Sequence, residues 1–187
     1  MNNNLFLDIG SNLGQGFDHF KNIYSDSFDY YLYEPNPHCV NVLYQKYEHL
    51  TNVHIFNLAV SNKNTITNFY FQNDFSQGGS IILNHNDIFY SHSTVQNIPV
   101  ATVNISYILN RLSPQYTNIV MKIDAESSEY DILDSLISSN QIFKFSKIYC
   151  EFHTQYMKPE TKPSFQSREN NILNFIHLNN IPFTLWH

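Results

Sequence analysis

Cysteine is nearly missing from this sequence. The two present, Cys39 and Cys150, stand far apart with no metal-ligand spacing, which gives no support to a cysteine-built zinc site or to a disulfide and favours ordinary buried thiols in a reduced, intracellular protein. Basic residues are also scarce: ten Lys and Arg against sixteen Asp and Glu give a net charge of −6. That balance argues against a broad phosphate-binding surface and so against nucleic acid as a partner, with only Lys158, Lys162 and Arg168 forming a local basic patch. No apolar run approaches the roughly 20 residues needed to span a bilayer. The first one, Leu5 to Ile9, is short, contains Asp8 and lacks a basic leader, so no signal peptide is expected and the protein should be soluble and cytoplasmic.

Glycine is rare too, and its placement is informative. Of five glycines in 187 residues, three fall within FLDIGSNLGQG, Phe6 to Gly16. The composition, 42% hydrophobic and 14% charged, is that of a globular chain long enough for one domain with a substantial core, so residues 1–187 are expected to form a single domain.

Apolar periodicity gives the order of elements. Leu5 to Ile9 reads as a buried strand, followed by Phe17, Phe20, Ile23 and Tyr24 at helical spacing. Tyr30–Tyr33, a helix with Val40, Leu43 and Tyr47, and Val53–Leu58 continue the alternation, which implies an α/β fold with a mostly parallel central sheet flanked by helices. A β-rich insertion, about 62–103, then intervenes before the fourth strand: Thr65–Phe71 and Ile98–Val103 bracket a polar segment with Gly78-Gly79, too long for a plain connector and placed to meet a substrate. The alternation resumes with a helix at Ile105–Leu112, strand Ile119–Ile123, a helix carrying Tyr130 and Leu133, and strand Lys147–Glu151. Residues 153–168, with Pro159 and Pro163, read as a loop that is a candidate cover for the site, ahead of a last helix and strand.

In a doubly wound sheet, ligands collect beyond the carboxyl ends of the strands. The turn after the first strand is there, but it reads D-x-G-x-x-x-G, not the G-x-G-x-x-G that cradles a pyrophosphate. An acid just before the first glycine repels a pyrophosphate and accepts from an ammonium. The spacing therefore favours a cationic, amino-acid-bearing ligand such as S-adenosylmethionine. In YLYEPNP, Glu34 stands at the end of the second strand, where a carboxylate can accept both hydroxyls of a ribose; alone, it would suit a nicotinamide enzyme equally. In IVMKIDAESSEYDIL, Asp124 ends a buried strand, and Glu126 and Glu129 open the next helix, where acids also serve as ordinary cap and dipole partners.

The segments FLDIGSNLGQG, YLYEPNP, NLAVSN, GGSI, VMKIDAESSEYDIL and YCEFH, taken together and in this order, span most of the chain and resemble the FkbM-like family of S-adenosylmethionine-dependent methyltransferases. The resemblance implies a single Rossmann-like class I methyltransferase fold. It implies that Asp8, Gly10, Ser11, Asn12 and Gly14 surround the methionine end of the cofactor, that Glu34 with Pro35 takes the ribose, that Asn57, Ala59 and Ser61 lie near the adenine, and that Asp124 to Glu129 face the acceptor. It also implies a hydroxyl acceptor, on a sugar, glycan or small hydroxylated metabolite. The chain departs from the family pattern twice. Ser127 stands where glycine is usual, which should restrict the backbone there, and the last of the usual seven strands is not evident before His187.

A hydroxyl acceptor must lose its proton as the new bond forms, which calls for a base or a metal. The candidates are Asp124, Glu126, Glu151 and His153. His153, in CEFH just past a strand end, is the expected general base because imidazole titrates near neutrality, with Asp124 orienting it. Alternatively Asp124, Glu151 and His153 hold Mg²⁺ or Mn²⁺. His85 and His92 are expected at the surface or lining the acceptor site, and Phe69, Tyr70, Phe71, Phe75, Phe89 and Tyr90 as core more than as a sugar platform. Two other functions compete: a catalytically silent module that only binds, and a nicotinamide-dependent oxidoreductase, which the glycine spacing disfavours.

Overall fold

A computed structural model describes residues 3–75, 78–83, 85 and 95–186. His92, Phe89 and Tyr90 lie outside the described residues. Strand β1 (Asn4–Ile9) leads through the glycine turn to α1 (Gln15–Tyr24), then β2 (Phe28–Tyr33), α2 (Pro37–Tyr47) and β3 (Val53–Phe56). Strands β4 (Ala59–Ser61), β5 (Thr65–Phe71) and β6 (Gln96–Asn104) precede α3 (Ile105–Leu112), β7 (Asn118–Ile123), α4 (Glu129–Ser138), β8 (Lys147–Cys150), α5 (Lys162–Leu178) and β9 (Phe183–Leu185).

Six strands form one sheet in the order β3-β2-β1-β7-β8-β9, every pair parallel. This is the doubly wound, Rossmann-like order, with strand order reversing between β1 and β7. A smaller sheet has the order β4-β6-β5, with β5 and β6, antiparallel to one another, coming from the insertion.

Period-two alternation sends the two faces of each strand to different cores. Leu5, Leu7 and Ile9 of β1, with Ile119, Met121 and Ile123 of β7, pack into the cluster under α3, α4 and α5. Phe6 and Val120 point the other way, against Phe17 and Phe20 of α1. Full burial of each such side chain contributes roughly 1.5–3 kcal/mol. The same face carries Asp8 and Lys122, which the register sets directly opposite one another.

Helix starts follow local chemistry. In α2, Pro37 occupies the first turn, where it forfeits no bond, and the Asn36 side chain accepts from His38 N. Pro163 does the same for α5, which therefore begins at Lys162, inside the stretch expected to be a loop. Arg168 consequently sits on a helix and donates to Asp131 and Asp134 of α4, so it belongs to an ion-pair cluster rather than to a basic patch. Both cysteines are buried and free. No helix among the described residues is long and apolar enough to cross a membrane.

Candidate functional site

Four residues with functional potential are each the first beyond a parallel strand: Gly10 after β1, Glu34 after β2, Asp124 after β7 and Glu151 after β8. Backbone bonds fix these ends to one another, with Gly10 N donating to Tyr33 O, Asp124 N to Ile9 O and Glu151 N to Ile123 O. Gly10 has φ +77, and a Cβ there would lie 1.8 Å from Asp124 O, so only glycine lets the two strand ends approach this closely.

A cleft of about 670 Å³ opens over these ends. Its floor holds Gly10, Ser11, Asn12 and Lys122, and one wall holds Asp124, Glu126, Glu151 and His153. Gln72, Asn73 and Phe75 come from the insertion, Gln15 from α1, and Tyr156 and Trp186 from the far side. A smaller cavity of about 60 Å³ adjoins it, sharing Gly10, Asn12, Asp124 and Glu126, and is lined by Glu34, Pro35 and Ala59 together with Phe69, Gly79 and Ile81 of the insertion.

Glu34 is almost wholly buried, and its two oxygens accept from Asn12 N and Asn36 N, each at 2.8 Å. Burial nevertheless outweighs those bonds and pushes its carboxyl up to about 7. Asn57 donates to Glu34 O and Pro35 O, pinning the end of β2; it lines neither cavity, nor does Ser61. Gly14, at φ +92, caps α1 against the Tyr47 ring, outside the cleft.

Asp8, expected beside the methionine end of the cofactor, is instead entirely buried beneath the turn. Its partner is Lys122, whose Nζ lies 3.2 Å from Asp8 Oδ1 and 3.5 Å from Asp124 Oδ2 and donates to Gly10 O at 2.7 Å. Burial disfavours the Lys122 ammonium, but Asp8 and Asp124 hold it above its ordinary range.

His153 is buried at the meeting point of the acids. Its Nδ1 and its backbone N both lie against Oε1 of the buried Glu129, at 3.2 and 2.9 Å, while Nε2 faces Asp124, Glu126 and Glu151 at 3.6, 3.5 and 3.9 Å. Burial opposes its charge, yet Glu129 and then Glu126 and Asp124 overcome this and raise it to about 10. The surrounding carboxylates thus favour the charged form of the ring. It can act as the expected base only once the surrounding negative charge is offset.

His85, expected at the surface or lining the acceptor site, is buried; it lines neither of these two cavities but a third of about 340 Å³, with Tyr70, Ser80 and Lys158. Its Nδ1 lies 3.0 Å from Ser127 Oγ and its Nε2 3.3 Å from Glu126 Oε2, and burial, with His153 nearby, lowers it to about 3. These contacts sit on an unusual turn, with Glu126 at φ +47 and Ser127 at φ +80. Ser127 thus adopts the conformation expected of a glycine, its hydroxyl held between His85 Nδ1 and Met157 Sδ. Of the expected aromatic cluster, Phe69 and Phe71 are buried core, whereas Phe75 is exposed on the cleft.

Sequence reasoning missed Lys122, Tyr156 and Trp186. Lys122 carried a signal, as a lysine inside an otherwise apolar strand covered on both faces requires a buried acid. Trp186 had none beyond being the only tryptophan.

Among solved structures the chain is similar to dTDP-glucose 4,6-dehydratase from Bacillus anthracis in complex with NAD, at 11% identity and a TM-score of 0.50, over 97% of this chain and 53% of that one. It is also similar to the yeast methylglyoxal/isovaleraldehyde reductase Gre2 complexed with NADPH, at 7% identity and a TM-score of 0.49, over 97% of this chain and 56% of that one. The chain spans little more than half the length of these proteins. The likeness to the dehydratase, at 11% identity, speaks to the fold alone. No curated protein matches the chain. The family model described as the methyltransferase FkbM domain matches residues 8–176, nearly the whole of the doubly wound unit and its insertion, and the chain therefore belongs to the FkbM methyltransferase-domain family.

Proposed function

We propose that this protein is an S-adenosylmethionine-dependent O-methyltransferase acting on a hydroxyl of a sugar, glycan or small hydroxylated metabolite. The observation that carries the reading is the adjoining pair of cavities at the strand ends, one beside buried Glu34 and the other walled by Asp124, Glu126, Glu151 and His153.

The donor set fits the cofactor's chemistry. Glu34 offers remaining lone pairs to a ribose, while Asp124 and the turn Gly10–Asn12 border both cavities where an ammonium and a sulfonium would lie. The smaller cavity, at about 60 Å³, is well below a nucleoside-sized site of several hundred Å³, so the edge made by Phe69, Gly79 and Ile81 must shift to admit the base. When bound, S-adenosylmethionine supplies an electrophilic methyl group.

The chain's own residues then position the acceptor and manage its proton. Gln15, Gln72 and Asn73 present amides, and Phe75, Tyr156 and Trp186 present rings, to the same space; uncharged donors beside apolar faces suit a neutral, hydroxylated molecule. Asp124, Glu126, Glu151 and His153 converge on one side of the cleft, where His153 can take a hydroxyl proton once its positive charge is no longer demanded, or where these side chains can hold a divalent ion. On this reading residues 1–187 act as one methyltransferase domain, and the insertion forms the acceptor side.

Calorimetry with S-adenosylmethionine, S-adenosylhomocysteine and NAD tests the reading. Heat from the methionine-derived ligands and none from NAD is expected; heat from NAD alone would overturn it.

A further inference from the structure

We infer that Asp124, Glu126 and His153 form a binding site for one hard divalent cation, Mg²⁺ or Mn²⁺. One ligand atom from each of the three lies within 4.8 Å of the others. His153 Nε2 is 3.6 Å from Asp124 Oδ1 and 3.5 Å from Glu126 Oε2. Neither contact is made as a hydrogen bond, but ligand atoms held about 2.1 Å from one ion stand about 3 to 4.2 Å apart, and these separations fall in that range.

The imidazole supplies the second, independent indication. Its side chain is only 3% exposed, its Nδ1 and the backbone N beside it are engaged by Glu129 Oε1, and Nε2 is left directed at the carboxylates on the cleft wall. A buried carboxylate gripping one ring nitrogen while the other faces a group of oxygen ligands is the arrangement that orients metal-binding histidines. Glu129 is thus a positioning residue for the site.

The choice of ion follows from the ligands. Two carboxylates and one imidazole, with no thiolate among them, suit a hard ion that keeps several waters, and the open cleft leaves room for those waters or for neighbouring hydroxyls of an acceptor. Glu151, 3.9 Å from Nε2, lies at the margin and can bind through water. Binding of the ion does not depend on the methyl-transfer reading, and it is tested without cofactor or acceptor.

The test is a Mn²⁺ titration of the full chain followed by electron paramagnetic resonance, in which free Mn²⁺ gives a signal that bound ion loses. One equivalent should bind, Mg²⁺ should compete, and Asp124→Asn and Glu126→Gln should each weaken binding at least tenfold. Glu160→Gln, on an exposed loop, should change nothing. Thermal melts without ion show which variants are folded, and either ligand variant suffices if the other is not. Full signal at millimolar Mn²⁺, or binding unaltered in a folded ligand variant, would overturn the assignment while leaving cofactor calorimetry to judge the enzyme reading separately.

Discussion

Lys122 Nζ lies 3.2 Å from Asp8 Oδ1, a cross-strand pair in register on β1 and β7 and almost fully buried beneath the glycine turn. Because Nζ also donates to Gly10 O and stands 3.5 Å from Asp124, the pair ties the floor of the cleft to its acidic wall.

Removing one member should therefore be costly. Asp8→Asn leaves a buried ammonium with less negative charge around it, and a loss of about 3–5 kcal/mol is expected in urea unfolding. Asp8→Asn combined with Lys122→Met should be less destabilising than the sum of the two single changes. Additive losses would show that the two side chains do not act as a pair.

Glu34 should make stability depend on pH in an unusual direction. Its carboxyl is raised from 4.5 to about 7 in the folded chain, so the folded state holds a proton that the unfolded state has released. Its contribution is complete below about pH 4.5 and is lost as pH rises through about 7. Relative to Glu34→Gln, the wild type should lose on the order of 3 kcal/mol between about pH 4 and pH 8. Denaturant melts of both proteins across that range check this; a difference that is flat with pH would mean that folding leaves the Glu34 carboxyl unshifted. Since ribose hydroxyls donate to the ionised form, S-adenosylmethionine should bind more tightly at about pH 8 than at pH 6, and Glu34→Gln should flatten that trend.

Much of this architecture was legible because parallel strands buried on both faces read as apolar runs, and their carboxyl ends can be located to within a residue. Gly10, Glu34, Asp124 and Glu151 were all placed that way. What was not legible depended on cross-strand register and long-range packing. Nothing local in DIGSN says that Asp8 turns down toward Lys122, 114 positions later. Pro163 read as a loop residue because the same proline serves a turn or a first helical turn, and only Arg168 meeting Asp131 and Asp134 decides between them. His85 itself is buried and bridges to Met157, a contact with no sequence signature.

Ser127 offers a test of strain against bonding. At φ +80 its side chain costs about 1 kcal/mol relative to glycine, while its hydroxyl meets His85 Nδ1 and Met157 Sδ. Ser127→Gly relieves the first and loses the second, so its stability should lie near that of the wild type. Ser127→Ala loses the bonds and keeps the strain, and should be less stable than the glycine variant by about 1 kcal/mol. Equal melting points for the two variants would place no strain at this turn.

Asp124 separates an enzyme from a module that only binds. It follows β7 directly, with its carboxylate 3.5 Å from Lys122 and 3.6 Å from His153, so Asp124→Asn preserves shape while removing one of the negative charges that face both side chains. In an enzyme this should lower methyl transfer to a panel of sugars at saturating cofactor by a hundredfold or more, about 3 kcal/mol in the barrier. A binding module has no turnover to lose, and there the substitution would register only in cofactor binding and thermal stability. The measurement is single-turnover methyl transfer by wild type and variant at saturating cofactor, beside calorimetry and melting curves for each. Activity in the wild type that survives the substitution would remove Asp124 from the chemistry and leave Glu126 or Glu151, with His153, to carry it.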